Sequence, residues 1–134
     1  MTKQFGLGRK QKLKSRKAID AVFREGRRFN IQPYRVFYLL GECDADADEL
    51  LQFGASAGSR QFKKAVDRNR IKRLSREAWR LQKQSLELTL KDNRKKMSVF
   101  LVFIDPVIPA FETALERVGK IVADLEKKVR EGII

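Results

Sequence analysis

The chain of 134 residues contains no histidine and a single cysteine, Cys43. These shortages exclude a disulfide framework and an ordinary zinc site. They also remove the commonest general acid–base. A protein nuclease built on this chain would need an acid cluster for metal, or a lysine or tyrosine in an unusual environment. The acids do not supply such a constellation: there are 17 of them against 30 Lys and Arg, mainly in one loop and at scattered helix positions. Long apolar runs are missing as well. The longest, Val99 to Ile104, falls far short of the ~20 residues that span a bilayer. No apolar stretch of signal-peptide length follows the basic first residues. That acid-poor start is shared with mitochondrial presequences, yet it carries no clear cleavage region. Cytoplasmic residence fits the single cysteine and the lack of a membrane segment.

What the chain has in excess is positive charge. A formal net charge of +13 makes nucleic acid the default partner, because phosphates relieve the self-repulsion of so many cations. With 43% apolar residues, the length suits one domain with a modest core. Residues 1–14 are basic, lack acids and include Gly6 and Gly8; they read as a flexible arm able to order on RNA. Residues 15–134 read as a single RNA-binding domain.

The charge is densest from Lys63 to Arg80, KKAVDRNRIKRLSREAWR. Wound as a helix at about 100° per residue, the segment places Arg68, Asn69, Lys72, Arg73, Arg76, Arg80 and Lys83 on one arc. Ile71, Leu74, Ala78 and Leu81 cluster about opposite. The apolar stripe is expected to dock on a sheet while the cationic arc stays outside, with Arg70 and Glu77 neighbours on the flank. A charge run is usually no more than a solvated helix face. Here arginine outnumbers lysine, and guanidinium makes forked bonds to phosphate and stacks on bases. Asn69 adds an amide able to donate and accept at a base edge or a ribose hydroxyl.

Around this helix the order of elements is readable. Ser15 offers an N-cap, Ala18, Ile19, Val22 and Phe23 recur at helical spacing, and Gly26 supplies a stop. Tyr34–Leu40 and Leu50–Ala57 read as strands, expected to pair as an antiparallel hairpin, with a short strand near Arg28–Gln32 before them. Between the two, the loop from Glu42 to Glu49 alternates acids but lacks the central Gly and distal bidentate Glu of an EF-hand, so it reads as a solvated loop without metal. The basic helix is expected to run from about Asp67 to Lys91. A buried strand, Met97–Ile104, is stopped by Pro106 and Pro109. A last helix begins at Ala110 with the stripe Phe111, Leu115, Val118, Ile121, Val122 and Leu125. The order α-β-β(-β)-α-β-α predicts one compact α+β domain, helices packed on a small mixed sheet.

The run Ala65-Val66-Asp67-Arg68-Asn69-Arg70-Ile71-Lys72-Arg73-Leu74, followed by Arg76-Glu77-Ala78 and Trp79, resembles the signature helix of the protein subunit of bacterial ribonuclease P. Leu13-Lys14 through Ala21-Val22-Phe23 to Gly26 resembles that family's first helix, and Gly54-Ala55-Ser56 the strand entering the signature loop. The likeness covers nearly the whole chain. It implies a ribonuclease P protein-like fold with a left-handed crossover between parallel strands, against the usual hand. It implies a protein that joins a catalytic RNA to remove the 5′ leader of precursor tRNA, the hydrolysis being done by Mg2+ held mainly by the RNA. No protein residue would then be catalytic and the protein alone would bind no metal. The resemblance assigns RNA contacts to Arg68, Asn69, Arg70, Lys72, Arg73 and Arg76, to which Lys63, Lys64 and Arg80 are added. It assigns the leader to a cleft at Ile19, Phe23, Phe37 and Ser56. The partners implied are the catalytic RNA and precursor tRNA, with no membrane and one protein monomer per RNA. Two positions depart from the family pattern. Ile19 stands where many members carry an aromatic, and Ser59 where a lysine is more usual.

Three rivals share some of these features. A ribosomal or general structured-RNA-binding protein shares the charge but need not share this order of elements. A helix-turn-helix would place the basic helix after another helix rather than after a strand. A membrane-surface helix would need the apolar stripe that the sheet requires.

Overall fold

The computed structural model describes residues 13, 15–42, 50–58 and 62–132. The basic arm apart from Leu13, the acidic loop over 43–49, and Ser59 lie outside the described residues. The elements are α1 (Arg16–Glu25), β1 (Arg27–Ile31), β2 (Tyr34–Glu42), β3 (Leu51–Ala57), α2 (Ala65–Gln82), α3 (Gln84–Asp92), β4 (Lys95–Phe103) and α4 (Phe111–Glu131).

Alternation along the strands sets the layers. Tyr34, Val36, Tyr38 and Leu40 of β2 join Leu51, Phe53 and Ala57 of β3 and Met97, Val99, Leu101 and Phe103 of β4 in the main core. The apolar residues of α2, α3 and α4 cover that face, with Val118, Ile121, Val122 and Leu125 of the expected α4 stripe all buried. The opposite face carries Phe37 and Phe100, which pack with Val22 of α1 and with Leu13. The protein is thus an α+β domain with one helix on one face of a mixed sheet and three on the other.

The strand order is β1-β2-β4-β3. β1 and β4 both run antiparallel to β2, while β3 lies parallel to β4. The hairpin expected between the strands at 34–40 and 50–57 is therefore not formed: β4 separates them, and the hairpin is β1–β2. The run around Val99–Phe103 is apolar on both of its faces, so it takes an interior place with a neighbour on each side. β3, with Gln52, Gly54 and Ser56 on one face, is left at the edge.

The single helix expected from Asp67 to Lys91 is also divided. Its backbone stays in the right-handed region at Lys83 (φ −69°, ψ −19°), so the interruption is a bend between α2 and α3. Lys83 is buried there and its ammonium pairs with Glu87, Nζ to Oε1 3.2 Å. Beside the bend, Gln82 donates to the Leu115 carbonyl at 2.9 Å, tying α2 to α4.

One polar link crosses the main core. Ser75 donates back to the Ile71 carbonyl at 2.8 Å, and its oxygen lies 2.8 Å from the Tyr34 hydroxyl. Burial raises the Tyr34 phenol above its ordinary pKa, with the Ser75 contact opposing. A raised folded-state value means that the folded form holds its proton while the unfolded chain loses it, so this contribution is complete below the unfolded value of about 10 and is lost as pH climbs past it. Tyr34→Phe should therefore lose about 1 kcal/mol of stability at neutral pH and decline less steeply than the parent above pH ~10. Urea unfolding at a series of alkaline pH values checks this. Tyr38, raised in the same direction by burial, keeps its share of the decline in both proteins.

Candidate nucleic-acid interface

Two surfaces hold the residues singled out in the sequence. The first is α2. Its buried side chains are Ile71, Ser75, Ala78 and Trp79, and Leu81, expected in the docking stripe, is 42% exposed. The docked face is thus rotated by roughly 60° from the one read off the helical wheel. Two residues cause the offset. Trp79 is fully buried and stacks on Phe53, ring centroids 4.4 Å apart and 13° from parallel. Ser75 is polar by type but enters the core because its hydroxyl is bonded.

The rotation re-sorts the cations. Asn69, Arg70, Arg73 and Arg76 stand exposed on the outer face, with Lys63 and Lys64 exposed just before the helix. Lys72 is half-buried. Arg68 turns back on the approach to the helix, one guanidinium nitrogen donating to the Phe62 carbonyl at 2.7 Å and the Lys63 carbonyl at 2.9 Å. Lys83, expected on the cationic arc, is in the core. Glu77 pairs with Arg80 rather than neighbouring Arg70, Arg80 Nε donating to its Oε2 at 3.0 Å. That bond holds the Glu77 carboxyl below its usual range and occupies Arg80. Within α2 the cations left outward are Arg70, Arg73 and Arg76, beside the Asn69 amide.

The second surface lies where α1 crosses the sheet. Ser15 caps α1, accepting from the Ala18 amide at 3.4 Å. At the other end Gly26 is required by close approach: a Cβ there would lie 2.5 Å from the Tyr38 carbonyl oxygen and 2.4 Å from that of Val22. Ile19 packs beside Val22, Phe37 and Phe100. Phe23 is 41% exposed, and its ring meets Phe37 edge-on at 4.5 Å and Phe100 at 5.3 Å. Register places Phe37, Phe100 and Gly54 in one cross-strand row, and Arg35, Val102 and Ser56 in the next row on the same face. Gly54 lets this floor close, since a Cβ would come within 2.8 Å of the Phe100 ring. Ile19, Phe23 and Phe37 are therefore brought together, and Ser56 stands on the same face two strands away. Phe100 and Arg35 belong to this surface and went unnoticed in the sequence. Phe100 was hidden by the unbroken apolar run around it.

Among the described residues no group of three or more Asp, Glu or Cys is placed to hold a metal ion. Glu77, Glu87 and Glu42 are instead paired with Arg80, Lys83 and Lys95. No helix among them is long and apolar enough to cross a membrane.

A mixed sheet flanked by an outward arginine face and an aromatic-floored cleft defines a class: a small basic α+β domain whose two surfaces have the chemistry that suits a polyanion. The ribonuclease P family model matches residues 7–104. The chain belongs to the family of ribonuclease P protein components, subunits of a ribonucleoprotein endoribonuclease. It is 37% identical over 110 residues to the ribonuclease P protein component of Porphyromonas gingivalis strain ATCC 33277, covering 81% of this chain and 78% of that one. It is 34% identical over 84 residues to that of Nitrosococcus oceani, covering 63% and 66%. Among solved structures it is similar to the Staphylococcus aureus RNase P protein, with a TM-score of 0.63 over 87% of this chain and 95% of that one. At 16% identity that likeness shows the fold.

Proposed function

We propose that the outer face of α2 docks on the catalytic RNA of ribonuclease P, and that the α1–sheet cleft holds the single-stranded 5′ leader of precursor tRNA while the RNA cuts. The observation that carries this reading is the division of labour on the surface. Arg70, Arg73 and Arg76 stand outward on one helix face, suited to phosphate. The cleft instead offers Phe23, a partly exposed ring steadied edge-on by two others, suited to an unpaired base. Lys63 and Lys64 extend the docking face, Arg68 and Lys72 shape its margin, and Arg80 contributes to the extent that RNA competes with Glu77. Ile19 and Ser56 bound the cleft on its helix and strand sides.

We assign the Mg2+ chemistry to the RNA and no catalytic role to a protein side chain. The donor chemistry supports this, since the acids Glu42, Glu77 and Glu87 already neutralise lysine or arginine. The reading carries with it a cytoplasmic location and one protein monomer per RNA.

Reconstituting cleavage of precursor tRNA with a bacterial ribonuclease P RNA at low magnesium tests the whole reading. The protein should restore cleavage at the mature 5′ end and be inactive without the RNA. Failure to stimulate, or cleavage by the protein alone, would overturn it. Within the cleft, Phe23→Ala should weaken capture of precursor tRNA by about five- to a hundredfold, the worth of one stacked base, while leaving leaderless tRNA unaffected. Equal losses for both would make Phe23 a structural residue only.

A further inference from the structure

A groove runs round the free edge of β1, away from α2. Its volume is about 480 Å³, and Phe23 of α1, Arg27, Arg28 and Phe29 of β1, Tyr38 of β2 and Lys128 of α4 line it. A second depression of about 330 Å³, lined by Arg28, Phe29, Asn30 and Arg35, shares Arg28 and Phe29 with it. Side chains alternate across β1. Arg28 pairs with Phe37 and points to the α1 side, whereas Arg27 and Phe29 point to the α4 side. The groove therefore wraps the sheet edge and joins the cleft under α1 to the flank of α4.

Its chemistry is that of a nucleotide site. The Lys128 ammonium sits 5.0 Å from the centre of the Phe29 ring. None of the ion pairs among the described residues engages Arg27, Arg28 or Lys128. Lys128 over the Phe29 ring, with Arg27 and Arg28 in the same groove and no carboxylate partner for the three among the described residues, suits a phosphate and its base together. The volume lies within the ~300–1,000 Å³ range of small-ligand sites, enough for a nucleotide unit.

We infer that this groove is a second subsite for single-stranded RNA. The leader that lies on Phe23 continues over the β1 edge and reaches Lys128, its phosphates held by Arg28 and Lys128 and a base laid against Phe29. The inference rests on the leader reading of the cleft, because Phe23 and Phe37 line both. It extends that reading to α4 and β1, which the sequence did not implicate.

The test uses reconstituted holoenzyme and precursor tRNAs whose leaders are lengthened one nucleotide at a time. The proteins compared are the parent, Arg28→Ala with Lys128→Ala, Lys128→Arg, Phe23→Ala, and Lys127→Ala as an exposed neighbour outside the groove. Parent affinity should rise with leader length in two stages. The double variant should keep the first stage and lose the second, binding the longest leaders about five- to twentyfold more weakly and the shortest normally. Lys128→Arg and Lys127→Ala should retain both stages, and unchanged affinity of the double variant for the catalytic RNA shows that it is folded. A double variant that matches the parent at every length overturns the groove, and so does an equal loss at every length. Loss with Phe23→Ala but not with the double variant removes the groove and leaves the cleft. Leader-independent binding by both removes the cleft and the groove with it.

Discussion

Replacing Arg70 and Arg73 together with Ala is expected to weaken binding to the catalytic RNA by at least about tenfold near physiological salt. It should also flatten the log–log dependence of affinity on salt by about 1.4 to 1.8, since each lost phosphate contact removes roughly 0.7 to 0.9. Both side chains stand on the exposed face of α2, so the fold should be indifferent to their loss and the unfolding midpoint should stay where it is. Filter binding or calorimetry across a salt series reads both quantities, and an unchanged slope would remove α2 from the phosphate contacts. Arg68→Ala makes the informative contrast. Arg68 is bonded to the Phe62 and Lys63 carbonyls, so its loss should loosen the approach to α2 and move stability as well as affinity.

The largest effect on folding is expected at Trp79. This ring is fully buried on the sheet-facing side of α2 and stacks on Phe53 of the edge strand β3. Truncation to Ala removes the most voluminous of the fully buried side chains and should cost about 3–5 kcal/mol, a large part of the stability of a domain this size. Its indole N–H meets no acceptor among the described residues, so Trp79→Phe gives up packing while relieving an unsatisfied donor. The Phe variant should therefore lose much less than the Ala variant. Urea denaturation followed by circular dichroism measures both. Comparable losses in the two would mean that ring size, and not the stranded donor, dominates.

α1 and α4 were legible because an amphipathic helix declares itself locally: an N-cap at Ser15, a stop at Gly26, and apolar residues three and four apart from Phe111 to Leu125. The density of arginine on α2 was legible for the same reason. The sheet order was not. Strand pairing is non-local, and the apolar run in β4 has no polar alternation to say which face is which or how many neighbours it has. The floor of the cleft shared that obscurity, so Phe37 could be named while Phe100, its cross-strand partner, could not.

Sequence by itself determined the cationic character, the α+β composition and the lack of histidine, which follow from residue types and local spacing, and it pointed to the family through the resemblance carried by Arg68-Asn69-Arg70 and its surroundings. Tertiary structure decided which arginines face outward. The sheet lies against Ile71, Ser75 and Trp79, and that contact, rather than the polarity of Ser75 or the hydrophobicity of Leu81, fixed the rotation of α2. It turned Lys83 into the core, folded Arg68 back onto the chain and left Arg70, Arg73 and Arg76 outside. Tertiary structure also brought Lys128 of α4 to Phe29 of β1, residues far apart in the chain that only the closing of the sheet edge against the last helix could join.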